Sequence, residues 1–162
     1  MRRSILYSSL ALLAGLPGAL DAQRNAVYAE LFGNALLGSI NYERVVVDRV
    51  SVRTGLGAVP GMFEVGARVH APVMLTYVAG HGQHRLEAGG GVVLMYVLPY
   101  SGPDQGYGDA DHGFARPEAT GTLGYRWQPA GRGGLIYRAG LTPWFRRDEI
   151  VPLFGVSAGM AF

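Results

Sequence analysis

A chain of 162 residues has room for one domain, and a formal charge of +2 without a basic patch gives no reason to expect nucleic acid as a partner. The absence of cysteine excludes disulfide frameworks, thiol catalysis and cysteinyl zinc sites together. With 25 glycines, nine tyrosines and arginine as its sole strongly basic residue, the composition favours an all-β chain rich in turns.

Residues 1–22, "MRRSILYSSLALLAGLPGALDA", open on Arg2 and Arg3 and continue through an apolar stretch from Ile5 to Leu16. A Pro-Gly break and small residues follow. This is the layout of a secretory signal peptide, with cleavage expected between Ala22 and Gln23 and the mature domain running over 23–162. The longest strongly apolar run downstream, Val92 to Leu98, is far short of the roughly 20 residues a membrane-spanning helix needs.

Period-two alternation then recurs eight times. The first two segments are Ala26 to Gly33 and Leu37 to Val46. Arg49 to Gly57 alternates most clearly of the early ones, with Val50, Val52, Thr54 and Leu56 on one face and Arg49, Ser51, Arg53 and Gly55 on the other. The fourth, Arg68 to Tyr77, contains Pro72, which either weakens the strand or marks a bulge. Arg85 to Tyr96, Glu118 to Gln128 and Leu135 to Phe145 follow. The eighth is the terminal "VPLFGVSAGMAF", in which Phe154, Val156, Ala158, Met160 and Phe162 share one face. Strands of about ten residues can cross a bilayer when tilted, and an even count suits a closed bacterial barrel.

The connections alternate in length. Val47-Asp48, Gly80 to His84 and Pro129 to Gly134 are short. On the other side Ala58 to Ala67, Val97 to Pro117 and Arg146 to Val151 are longer, and only the link at Asn34 and Ala35 is tight. Short turns at one end and longer loops at the other match an outer-membrane barrel, with turns periplasmic and loops extracellular.

The faces differ in chemistry. Leu123, Tyr125 and Trp127 oppose Glu118, Thr120, Thr122, Arg126 and Gln128. A soluble barrel would turn the apolar face inward; a membrane barrel turns it to lipid. Periodicity cannot choose between them. The aromatics favour the membrane reading: Tyr42, Tyr77, Tyr96, Tyr125, Trp127, Trp144, Phe145 and Phe162 fall near strand ends, where interfacial girdles form. From these, Tyr42, Tyr96, Tyr125, Trp127, Phe145 and Phe162 are taken as membrane-interface residues. The lumen of such a barrel would hold Glu30, Glu43, Arg53, Glu87, Glu118, Arg126 and Arg138 as a polar network, since eight strands enclose only their own side chains and buried charges must pair.

Three stretches carry a resemblance: "GNALLGSINYERVVVDRVSVRTGLG", "APVMLTYVAGHGQHRLEAGGGVVLMY" and "GTLGYRWQPAGRGGLIYRAGLTPWF". Together they resemble the small eight-stranded outer-membrane β-barrel proteins of Gram-negative bacteria, over about residues 25–162. The resemblance is nearest to a group with the same order of motifs and no established activity. It implies a fold and a location, and it transfers no catalytic residue.

Sites of chemistry are sparse. A hydrolase would need a serine beside a histidine base, and none of His70, His81, His84 and His112 lies within two residues of a strand serine. No catalytic residue, metal or cofactor is assigned. "HGQH" reads as a solvated turn. Asp104, Asp109 and Asp111 lie in the loop Ser101 to Pro117 and lack the spacing of a calcium loop; they are expected to form part of a flexible extracellular loop. The expectation is therefore an all-β, eight-stranded antiparallel up-and-down transmembrane barrel. It would be monomeric and would contact outer-membrane lipid. The insertion machinery would recognise its C-terminal strand, and any ligand outside the cell would meet its loops. The competing expectations are a soluble lipocalin-like barrel with Val50, Val52 and Leu56 inside around an apolar ligand, and a lipid-modifying enzyme.

Overall fold

The computed structural model describes residues 24–60, 67–98, 113–129 and 134–162. The expected signal segment and the three loop aspartates lie outside them. Eight principal strands form: β1 Asn25–Leu31, β2 Gly38–Val47, β3 Val50–Val59, β4 Arg68–His81, β5 His84–Val97, β6 Glu118–Trp127, β7 Gly134–Leu141 and β8 Phe154–Ala161. Each pairs antiparallel with its neighbours in the chain, and β8 pairs with β1, so the sheet closes. The fold is the expected eight-stranded up-and-down barrel. Closure gives each of the eight principal strands a paired neighbour on both sides.

The strands are strongly staggered. Ala26 lies opposite Glu43, which lies opposite Arg53, and the row continues through Met74, Gly91, Thr120 and Trp144 to Val151. The partner of Ala26 on β8 is Ala161, ten residues further on than Val151. A stagger of this size goes with strands inclined by about 40° to the barrel axis.

Three local readings change. Pro72 marks no bulge: Thr54 pairs with Val73 and Gly57 with His70 in one unbroken register, and only the ladder hydrogen bonds lapse where the ring replaces an N–H. The link between β4 and β5 is shorter than Gly80 to His84, because His81 pairs with His84 around Gly82 and Gln83; Gly82 takes a φ of 69° that suits glycine. Arg146 to Val151 is not a long loop. Trp144–Phe145 pairs with both Ala119–Thr120 and Ile150–Val151, so β7 and β8 continue outward to a turn at Arg146, whose N–H donates to the Glu149 carbonyl at 3.0 Å.

Burial alternates around the whole barrel, and its sense is inverted relative to a soluble protein. Outward positions include Ile40, Leu56, Leu75, Leu86, Leu123, Leu135 and Met160, all exposed. Inward positions include Glu43, Arg53, Glu87, Arg126 and Arg138, each at most 5% exposed. Charge inside and aliphatic surface outside at such density is the reverse of the usual arrangement in a water-soluble protein. On outward strand positions among the described residues, the charged or histidine side chains are Arg44, His81 and His84, each within four residues of a short turn.

Candidate functional site in the barrel lumen

The lumen is crossed by an ion-pair lattice built from four strands. β2 supplies Glu43, β5 Glu87, β6 Arg126 and β7 Arg138. Arg126 grips Glu43 through Nη2, 2.6 and 2.7 Å from the two carboxylate oxygens, while its Nε donates to Glu87 at 3.0 Å. Arg138 holds Glu87 through Nε at 3.0 and 2.9 Å and through Nη2, and its Nη1 lies 3.9 Å from Glu43. Ser51 donates to Glu43 at 2.7 Å and Tyr28 does so at 3.2 Å, and the Arg138 guanidinium stacks 4.7 Å from the Tyr28 ring centre. Each carboxylate therefore bridges two arginines. The register requires it: Arg126 faces Arg138 directly across β6 and β7, a like-charge pair that is unfavourable unless anions intervene. Room for these side chains comes from Gly124 and Gly140, neighbours in the same ladder; a Cβ on Gly140 would fall 2.5 Å from the Gly124 Cα.

A second polar cluster fills the long-loop end. Glu30 and Arg53 approach to 4.0 Å, both almost fully buried, and the guanidinium also meets the Met74 sulfur. The Phe32 to Leu37 connection is tight, as expected, but it turns into the barrel. Asn34 and Ala35 are buried, Asn34 reaches the Met74 sulfur, and the Ala35 carbonyl lies 3.3 Å from His70 Nδ1. Positive φ values at Phe32 (61°) and Leu36 (70°) produce the inward fold. Trp144 packs edge-on against His70 with ring centres 5.7 Å apart. Of the aromatics near strand ends, Trp144 therefore lies inside: it has the inward parity of Arg138, six residues earlier, and is 1% exposed. Between the clusters lies a cavity of about 10 Å³, touching Glu30, Glu87, Thr142 and Ser157.

Glu118 does not join either cluster. It faces inward at the rim and lies 3.4 Å from Arg146, which is 40% exposed. The other expected lumen residues, Glu30, Glu43, Arg53, Glu87, Arg126 and Arg138, meet as described. Ser51 and Tyr28, which hold Glu43, were missed by the sequence reading; their inward parity on strands facing Glu43 was the available signal.

The chain shares its architecture with a solved barrel. The crystal structure of the N-terminal β-barrel domain of Pseudomonas aeruginosa OprF superposes with a TM-score of 0.62, over 88% of this chain and 100% of that domain, at 13% identity. At that identity the likeness concerns the fold. The sequence matches no protein-family model and no curated protein.

The aromatic side chains form two groups outside the barrel. At the short-turn end, Trp127 lies 5.6 Å from Tyr137 between ring centres, Tyr125 contacts His84, Tyr42 donates to Asn25 at 2.8 Å, and Phe162, just after β8, is exposed. At the long-loop end, Tyr96 meets Phe114 edge-on at 5.1 Å and Phe145 is exposed. Val52 and Leu56 are outside, opposite to the placement a soluble ligand-carrying barrel requires. Among the described residues no cluster of three metal-ligating side chains occurs, and His70, His81 and His84 hydrogen-bond to no serine.

Proposed function

We propose that this chain is an outer-membrane β-barrel protein that spans the bilayer as a closed scaffold and presents its long-loop end outside the cell. The observation that carries the reading is the inversion of the barrel, with an aliphatic belt outside and paired charges sealed within. A lipid environment turns that exterior from a liability into the stabilising surface. The two aromatic groups stand where girdles belong, and both termini of the barrel fall at the short-turn end, as they would in a chain delivered from the periplasm. Its role is structural or one of surface interaction, with the closing strand β8 as the segment offered to the insertion machinery. The fold shared with the OprF domain supports this reading.

The role is not that of a wide pore, because the lattice of Glu43, Glu87, Arg126 and Arg138 fills the cross-section. Neither a soluble apolar-ligand carrier nor a lipid-modifying enzyme finds support in the facing of Val52 and Leu56 or in the surroundings of Ser51. Gel mobility tests the reading. The outer-membrane fraction, unboiled in detergent, should give a fast-migrating band that shifts on boiling. A soluble periplasmic protein with one mobility would overturn it.

A further inference from the structure

The short-turn end of the lumen opens into a vestibule of about 210 Å³ whose wall is unusually cationic. Arg24, Arg49, Arg85 and Arg126 line it together with Glu43 and Asp48. Arg126 is already engaged by Glu43 and Glu87. Arg85 is not: it faces Arg126 directly across β5 and β6, and among the described residues its hydrogen bond is Nε to the Gly82 carbonyl at 3.1 Å, with no carboxylate in ion-pair range. Arg49 likewise contacts His81 and no carboxylate among the described residues. Adjacent guanidiniums without an intervening anion are unfavourable, and the opposite solution is used a few ångströms deeper, where Glu87 bridges Arg126 and Arg138.

We propose that this vestibule is a binding site for a doubly charged oxyanion of the phosphate or phosphate-monoester class, held by Arg85 and Arg49. The two guanidiniums of Arg85 and Arg49 match the charge of such a dianion near neutral pH, and their planar forks suit its oxygens. The bound anion does for the Arg85–Arg126 pair what Glu87 does for Arg126 and Arg138. Inorganic phosphate in solution and the phosphate of a lipid headgroup share this chemistry.

Calorimetric titration of the folded full-length protein in zwitterionic detergent, at low salt, distinguishes them. One arm adds inorganic phosphate and the other adds micelles doped with short-chain phosphatidic acid. Saturable binding is expected in at least one arm, weakened about tenfold or more by Arg85→Gln, through loss of a charge-assisted hydrogen bond, and unchanged by Arg44→Gln on the outer wall. Binding confined to the doped micelles assigns the site to a lipid headgroup, and binding of free phosphate assigns it to a soluble ligand. Should Arg85→Gln lose the unboiled fast band, Arg49→Gln on the β2–β3 turn provides the same comparison in a folded barrel. No saturable binding in either arm, or affinity indifferent to the folded variant, would overturn the proposal.

Discussion

Glu87 touches two arginines at once, and it has no solvent to fall back on. Replacing it with alanine leaves Arg126 facing Arg138 with only Glu43 between them. Removing one partner of a buried charge network costs about 3–5 kcal/mol, so Glu87→Ala should lower the urea midpoint at which the unboiled fast band disappears. Glu118 provides the contrast. Its partner Arg146 is 40% exposed, and a pair of that kind contributes about 1 kcal/mol or less. Glu118→Ala should therefore leave the midpoint nearly unchanged. Equal effects from the two substitutions would mean that the charges are not sorted into core and rim. From sequence alone all seven charged residues looked equivalent, since parity sets the face and carries no information about height along a tilted strand.

At the scale of the strand, the exterior is set by β6 as clearly as by any element. Leu123 lies between Gly121 and Tyr125 on its outward face and is 62% exposed. If that face meets hydrocarbon, Leu123→Arg costs about 2–4 kcal/mol near the midplane, and the variant should accumulate unassembled, visible as loss of the fast band from the outer-membrane fraction. Normal assembly would mean that Leu123 faces water. The β7 element shows how a strand can be read correctly and its end misread. Leu135 to Phe145 was legible as alternation, and the structure continues pairing to Phe145. By type and by its position near an end, Trp144 resembles the girdle aromatics, yet it points inward. Parity with Arg138 decides the matter, since side chains on a strand alternate without exception unless a bulge intervenes, and none does here.

For the whole molecule, the decisive quantity is the open cross-section. Eight strands enclose a lumen that side chains can fill, and here they do, with two polar clusters and a cavity of about 10 Å³ between them. Vesicles carrying the protein should accordingly take up no monosaccharide faster than empty vesicles. Rapid, size-dependent uptake would show that the lattice of Glu43, Glu87, Arg126 and Arg138 opens in a bilayer, and would replace the closed-scaffold reading with a channel. The vestibule at the short-turn end does not conflict with closure, because Glu43 and Arg126 of the lattice form part of its wall.

The number of strands, their order and their two faces were determined by the sequence alone, because a period of two in side-chain chemistry and the spacing of turns are local properties. Parity alone puts Arg53 and Leu56 on opposite faces. Local periodicity could not say which face is inside, how the closed sheet is staggered, or which inward charges meet. Those depend on ring closure: the ten-residue shift between Val151 and Ala161 sets the height of every side chain relative to strands far away in the chain. That stagger brings Glu43 to Arg126 across 83 residues and leaves Glu118 at the rim. It also sets Arg85 beside Arg126 with an open vestibule in front of it, an arrangement with no counterpart in any local stretch of the chain.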